Sequence, residues 1–249
     1  MKKILVVVLC LGFLFLYAPC TLGAFEVYYD GFFTGKFCLK ASEAEKVETD
    51  FSLHAFGGRL YLSDLLLGAE VGTGEIKKSK NFSAIQDLET ISFIVGYRFN
   101  INEFSLLPFI SADEMNMKDS LNNKRISGIS PGVEAKVPFS DRFSIEGSYK
   151  LALFSIAYEL NGRDIDRVIQ EDLGEQDISI KSSAVKISAL SFKAKYLITE
   201  NIALVGGYKK NITKLEINAE KDPFGAEIPI EFEQEESLDS ITFGASILF

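Results

Sequence analysis

The one histidine of this 249-residue sequence, His54, has Ser52 two positions before it and Asp50 nearby. A serine, an imidazole and a carboxylate are the groups that hydrolases combine into a nucleophile, a general base and an orienting acid. On a β-strand Ser52 and His54 would share one face. Such a cluster could hydrolyse lipid or lipopolysaccharide.

Three observations argue against a hydrolase. A Ser-x-His pattern is common by chance, and no glycine-rich loop that could form an oxyanion hole adjoins it. The strand phase places His54 on the outer face, where Leu60 and Leu62 continue an apolar row. We therefore predict that the protein is not an enzyme and that His54 is an interfacial residue. An outer-membrane lipid hydrolase that uses His54 is the remote alternative.

A second set of polar groups consists of charged side chains that recur on alternate positions of the predicted strands. On the inside of a narrow barrel they would form a charge network in which opposite charges offset each other's desolvation. A lining with a basic excess would instead favour anions in a small porin-like channel. We predict a mostly plugged, charged lumen and a structural or surface-interaction role, with the small channel as the alternative. The predicted network is Asp30, Lys36, Arg59, Glu70, Arg98, Glu134, Lys136, Glu146, Lys150, Lys193, Lys195 and Lys209.

The strands that must position these groups follow from the period-two alternation of apolar residues. Four short turns and five long polar stretches alternate along the chain, as in a transmembrane barrel with short periplasmic turns and long extracellular loops. The sequence thus predicts an all-β, antiparallel, up-and-down transmembrane β-barrel of about ten strands, with eight as the alternative. The predicted strands are 25–40, 51–62, 66–76, 88–99, 104–112, 126–137, 143–158, 185–196, 202–216 and 239–249.

The turns include a repeated hairpin. Residues 137–149 align without gaps on residues 196–208, and each copy places Ser, Thr, Asp or Asn between two alternating strands. A looser copy surrounds Asn102, and Ser63-Asp64 is another predicted turn. The long stretches are 41–50, 77–87, 113–125, 161–177 and 218–239.

The same alternation would suit a soluble barrel of the lipocalin type with its apolar face inward. Such a barrel would crowd Phe and Tyr side chains into its interior and leave Gly, Ser and Thr outside in water. The opposite arrangement puts small and charged residues into a narrow lumen and bulky residues against lipid. We therefore favour the membrane barrel, in which Tyr and Phe supply any aromatic girdle because the chain lacks Trp.

The first 24 residues are predicted to be a secretory signal peptide, which leaves 25–249 as one barrel domain. A basic start at Lys2 and Lys3 precedes an apolar run and the small residues Gly23 and Ala24. A membrane anchor is the weaker alternative, because the run is shorter than a spanning helix and Pro19 interrupts it. The formal charge of -9 becomes -11 when Lys2 and Lys3 are removed.

The strand at 240–249 alternates apolar with small polar residues and ends on Phe249. This pattern resembles the C-terminal strand of Gram-negative outer-membrane barrels, in which a terminal aromatic residue targets the chain to its insertion machinery. The resemblance implies that Phe249 is an assembly signal. It also implies a location in the outer membrane, with the barrel-assembly machinery, outer-membrane lipid and lipopolysaccharide as partners.

Residues 107–112, the segment 132–134 with its hairpin at 138–149, and residues 196–208 resemble the small outer-membrane barrels of the opacity and outer-membrane-protein-A-like group. This resemblance implies a fold and a location but no particular ligand. Barrels of that group commonly have eight strands. Outer-membrane aspartyl proteases have ten, but their paired acids and histidine are not recognisable in this sequence.

The stretch 218–239 is strongly acidic, and a cation or a basic partner could bind there. Its spacing matches no calcium loop, so we expect a solvated, outward-facing acidic loop whose partner the sequence does not name. No motif indicates a cofactor, a metal site or nucleic-acid binding. Within this stretch, residues 228–232 alternate and could extend the last hairpin.

Overall fold

A computed structural model describes residues 24–41, 47–77, 86–118, 123–152, 154–160, 163–164, 178–221 and 228–249. The signal peptide predicted at 1–24 therefore lies almost entirely outside the described residues. The strands are β1 (Ala24–Ala41), β2 (Val47–Leu62), β3 (Leu65–Ile76), β4 (Gln86–Tyr97), β5 (Phe99–Ile101), β6 (Phe104–Lys118), β7 (Asn123–Pro138), β8 (Phe143–Leu151), β9 (Phe154–Leu160), β10 (Arg163–Asp164), β11 (Ile178–Leu197), β12 (Ile202–Lys221) and β13 (Ile228–Leu248).

These strands form one closed antiparallel sheet of ten barrel strands, as predicted. Each barrel strand pairs with its neighbours in sequence, and β13 pairs with β1 to close the ring. β4 and β5 make a single barrel strand, interrupted where Pro108 on β6 has no N–H to donate. β8 and β9 make another, because both pair with β7. The two-residue β10 adds only to β9.

The four predicted short turns are confirmed, and they lie together at one end of the barrel, which we call the turn end. Ser63 and Asn102 adopt positive φ angles of 58° and 53°, a conformation that small polar residues tolerate. The two copies of the repeated hairpin close in the same way. Ser140 Oγ accepts a hydrogen bond from the Phe143 N–H at 3.1 Å, and Thr199 Oγ1 accepts one from the Ile202 N–H at 3.0 Å.

At the opposite end, the loop end, the strands run further than the sequence predicts. β6 and β7 extend into the predicted loop 113–125, and β12 and β13 pair through most of 218–239. The alternation at 228–232 therefore does continue the last hairpin. The pairing extends further because polar residues can occupy strands that project beyond an apolar belt. Nowhere in the described part of the chain is there a helix long and apolar enough to cross a membrane.

β1 contains an irregularity that the sequence does not reveal. Its register with β13 shifts between Phe32 and Thr34, which is a β-bulge at Phe33. One extra residue reverses the alternation of everything that follows. Phe37 therefore points into the barrel and is buried, and Lys36 points outward with 65% of its side chain exposed. The prediction that Lys36 belongs to the lumen network is wrong for this reason.

The outer surface carries a belt of exposed apolar side chains from nearly every barrel strand. Its members include Phe56, Phe93, Val95, Ile110, Phe192, Leu204, Ile241 and Phe243. Toward the loop end the belt gives way to outward-facing ion pairs. These outer ion pairs are Lys36–Asp50, Arg125–Glu114, Lys186–Glu216, Lys210–Asp239 and Lys214–Glu235. Exposed aromatic side chains cluster near the turn end, among them Tyr97, Phe99, Phe104, Phe139, Tyr196 and Phe249.

Candidate functional site

The inside of the barrel holds the candidate site, and its strongest contact joins β2 to β7. The Arg59 guanidinium donates two hydrogen bonds to the Glu134 carboxylate, at 3.0 and 2.9 Å, and each side chain is only 15% exposed. The planar fork of an arginine fits a carboxylate in this two-point geometry. Because three barrel strands separate β2 from β7 around the wall, the pair crosses the lumen.

Tyr28 connects this pair to a second one. Its hydroxyl donates to Glu70 at 2.9 Å, and Lys209 on β12 donates to the same carboxylate at 3.2 Å. The Arg59 guanidinium and the Lys193 ammonium lie 5.8 and 5.2 Å from the centre of the Tyr28 ring. The ring lies over Gly57, where any β-carbon would overlap it. The absence of a side chain on Gly57 thus lets Tyr28 occupy the lumen.

Three further ion pairs complete the network near the turn end. Lys193 on β11 donates to Asp30 on β1 at 2.6 Å, and Lys195 pairs with Glu26 on the same two strands. Lys136 and Glu146, on the neighbouring strands β7 and β8, lie 3.1 Å apart. Pairs of opposite charge tie several barrel strands together across the interior, so each buried charge has a partner that offsets its desolvation.

A separate polar group lies between β4, β6 and β8. Asp113 accepts hydrogen bonds from Lys150 at 2.6 Å, from Ser92 at 2.7 Å and from Ser111 at 2.7 Å. The sequence prediction includes Lys150 but misses Asp113, because Asp113 falls in a segment assigned to a loop. Asp113 lies two positions after Ser111 and four after Phe109, and this spacing indicates that all three side chains share the inner face of β6. Glu26 was missed although it alternates with Tyr28 and Asp30 on the inner face.

The remaining predicted residue of the lumen, Arg98, lies with its guanidinium 4.1 Å from the centre of the Tyr61 ring, near the turn end. Arginine over an aromatic face is a favourable arrangement. The structure thus brings the predicted set into the lumen, with Lys36 as the exception.

Toward the loop end the lumen is apolar, which differs from the charged lumen expected from the sequence. Buried side chains from β13, β1, β2, β3, β4 and β6 pack together inside the barrel; they are Phe37, Phe51, Leu53, Ala55, Ile76, Leu88, Met117 and Leu238. We call this group the apolar layer. Beyond it, Lys124 pairs with Glu236 across the mouth. The bulge in β1 hid part of the pattern, since it alone turns Phe37 inward.

A cavity of about 170 Å³ lies in the lumen, with lining from both the apolar layer and the charge network. Leu53 and Phe109 contribute to its apolar side, and Lys150 and Lys209 to its charged side. Its size exceeds that of one water molecule several-fold. A second cavity of about 20 Å³, enough for one water molecule, lies among the ion pairs of Glu26 and Asp30 nearer the turn end. The barrel interior therefore has room for a small molecule in its middle and for little more than a water molecule among the ion pairs.

The residues of the alternative hydrolase, Asp50, Ser52 and His54, lie on the outer face of β2 and do not form a triad. His54 Nδ1 shares a 2.7 Å hydrogen bond with the Tyr29 hydroxyl, and the two rings are nearly parallel. Asp50, at the loop end, accepts from Lys36 at 2.6 Å. The hydrogen bond and the positive charge of Lys36 lower the pKa of Asp50. The acid is thus engaged with a lysine rather than with the imidazole.

Phe249 closes the ring beside Phe25. The Phe25 N–H donates to the Phe249 carbonyl at 3.1 Å, and the Phe249 N–H donates to the Phe25 carbonyl at 2.8 Å. The centres of the two rings lie 6.5 Å apart. The predicted assembly residue therefore lies at the seam between the first and the last barrel strands.

Comparison with solved structures identifies the fold. The outer membrane protease OmpT from Escherichia coli is 12% identical, and the alignment covers 93% of this chain and 99% of the OmpT chain with a TM-score of 0.56. The fold is that of an outer-membrane β-barrel.

Weaker similarities were found to Neisserial surface protein A and to an outer membrane channel from Pseudomonas putida F1. Identities are 12% and 14%, and both alignments cover 90% of this chain, with 98% and 97% of the other chains. The TM-scores are 0.35 and 0.37. No protein-family model matches the sequence, and no curated protein matches it.

Proposed function

We propose that the protein is an integral outer-membrane barrel with a structural or surface-interaction role and a lumen that does not conduct. The observation that carries the proposal is the network of ion pairs across the lumen. The Arg59–Glu134 and Lys209–Glu70 pairs each join strands that are far apart around the wall. An ion on its way through the barrel would have to displace these paired side chains.

The outer surface supports the proposed location. Contiguous exposed apolar belts of this extent are rare on soluble proteins, and a bilayer would cover this one. The turn end then faces the periplasm, and the outer ion pairs lie at the level of the lipopolysaccharide headgroups. Assembly by the barrel-insertion machinery remains part of the proposal, with Phe249 as its signal. The loops at the other end face outward and are where a surface partner would bind.

The alternative of a small porin-like channel is tested by electrical recording. Purified, refolded protein in a planar bilayer should show no discrete conductance steps, because paired side chains cross the lumen and leave only small cavities between them. The double variant Arg59→Ala/Glu134→Ala removes the central pair and should conduct, which shows that the assay detects an open barrel. Reproducible steps from the unmodified protein that shift in Lys136→Gln, Lys150→Gln or Arg98→Gln would establish the channel instead.

We also propose that the barrel is not an enzyme. The similarity to OmpT extends to the fold alone. His54 lies on the outer surface, where its imidazole is hydrogen-bonded to the Tyr29 hydroxyl. Incubation of the refolded protein with phospholipid and lipopolysaccharide should release no product. Turnover that disappears in both His54→Ala and Ser52→Ala would show that the barrel is a hydrolase.

A further inference from the structure

The cavity in the middle of the lumen differs from its surroundings in chemistry. The larger apolar side chains that line it come mostly from β2 to β7, among them Leu53, Leu107, Phe109 and Met115. Barrel interiors of outer-membrane proteins are ordinarily polar. Leu53 and Met115 pack with the apolar layer, and Leu107 and Phe109 pack with Tyr61 and Leu66, but the sides of these residues that border the cavity contact no other side chain. This apolar wall is suited to a ligand that supplies the missing contacts.

The other side of the cavity offers hydrogen bonds. Asn211 and Thr213 on β12 line it, and neither side chain makes a hydrogen bond within the described part of the chain. An amide and a hydroxyl together can donate to and accept from one small polar group. Their neighbours Ser148 and Ser191 are already bonded to each other at 2.7 Å. The free hydrogen-bonding capacity of this wall is therefore concentrated at Asn211 and Thr213.

The charges of the lining are already paired. Lys150 forms an ion pair with Asp113, Lys193 with Asp30 and Lys209 with Glu70. A charged ligand would add a charge to this interior, and the charges that face it are already compensated by their partners, so its burial is costly. A neutral ligand leaves every pair intact. The lining thus selects against ions and favours an uncharged molecule.

The volume limits the size of that molecule. An apolar cavity of about 150 Å³ in another protein accommodates benzene, and this one measures about 170 Å³. We propose that the lumen cavity binds a neutral, single-ring amphiphile of the phenol class. Its ring contacts Leu53, Met115 and Leu238, and its hydroxyl bonds to Asn211 and Thr213. This site goes beyond the proposed function, since a barrel that does not conduct can still hold a ligand.

The test measures the binding of two probes, 4-fluorophenol and fluorobenzene, to the full barrel in lipid nanodiscs. Fluorine NMR of the probes reports the bound fraction. Empty nanodiscs give the contribution of partitioning into lipid. We expect saturable binding of 4-fluorophenol to the unmodified barrel and about tenfold weaker binding to Asn211→Leu, a substitution of similar size that removes the hydrogen bonds. Fluorobenzene should bind both proteins equally.

Asn100→Leu is the matched control, because Asn100 is exposed near the turn end and does not line the cavity. It should bind both probes as the unmodified barrel does, and heat-modifiable gel mobility verifies that each variant is folded. No saturable binding above that of empty nanodiscs overturns the proposal, as does equal 4-fluorophenol affinity in the unmodified barrel and Asn211→Leu. Conductance by a barrel that binds 4-fluorophenol would contradict the proposed function and leave the binding site standing.

Discussion

At the scale of single residues, the Arg59–Glu134 pair should contribute to stability mainly through mutual compensation of charge. Replacing one member leaves the other buried and unpaired, so Arg59→Met or Glu134→Leu alone should lower the free energy of unfolding by about 3–5 kcal/mol. The double variant Arg59→Met/Glu134→Leu should lose much less than the sum. Urea unfolding of the refolded barrel, followed by tyrosine fluorescence, measures all three.

The exposed Lys36–Asp50 pair is the matched control for that experiment. Both side chains are more than half exposed on the outer surface. Water and salt screen such pairs strongly, so Lys36→Met and Asp50→Leu should leave the unfolding midpoint within the error of the measurement. Strictly additive losses in the Arg59 and Glu134 variants would show that the two charges do not compensate each other.

Much of the lumen network could be predicted from residue spacing alone. Arg59, Glu70, Glu134 and Lys193 all occupy positions opposite to apolar residues in strands of regular alternation. Which charges pair across the lumen could not be predicted, because the partners lie far apart in sequence and depend on how the barrel closes. Nor could the cavity, since it depends on the volumes of side chains from many strands at once.

At the scale of elements, the seam between β13 and β1 should be sensitive to Phe249. Its backbone exchanges two hydrogen bonds with Phe25 and its ring packs nearby. Deleting Phe249 removes both, so we expect a large loss of heat-modifiable barrel from the outer-membrane fraction of a Gram-negative host. Phe249→Tyr retains the ring and the backbone contacts and should assemble nearly normally.

The outcome that contradicts this prediction is equal recovery of the deletion variant in the outer membrane. Recovery of the unmodified chain as a soluble periplasmic protein would contradict the proposed location itself. The two outcomes are separable on the same gels, because the first concerns the seam and the second concerns the whole barrel.

Strand identity was predictable because the period-two alternation and the turn residues agree, as at Ser140 and Thr199. The positions at which the strands end at the loop end were not predictable. A polar strand such as the outer part of β12 has the composition of a loop, and only pairing with β13 makes it a strand. Similarly, the bulge in β1 lies in a run with apolar residues at successive positions, where alternation gives no signal.

At the scale of the whole molecule, the apolar belt should determine how the barrel sits in a membrane. Ile110 lies in the belt with 58% of its surface exposed, and Asn116 lies six positions further toward the loop end on the same face of β6. Ile110→Arg should cost about 2–4 kcal/mol in a bilayer, and Asn116→Arg only about 0–1 kcal/mol. Reversible unfolding from phospholipid vesicles measures the difference.

Equal costs at the two positions would indicate that a bilayer does not surround the belt. The comparison is well matched because both substitutions introduce the same side chain on one strand and one face. Neither side chain enters the lumen, and the difference in local contacts is a hydrogen bond of 3.0 Å that Asn116 donates to Glu114, a carboxylate that an arginine at position 116 could also reach.

The bulge at Phe33 gives β1 one residue more than its partner strands require. A chain that lacks Phe33 could form a regular ladder in which Glu26 and Phe37 keep both their pairing partners and their inward orientation. A deletion between Glu26 and the bulge could be absorbed in the same way, with only the residues between the two points changing sides. β1 can therefore lose one residue without a change in the register of its ends. We expect the barrel to tolerate a one-residue deletion in β1 better than one in β3.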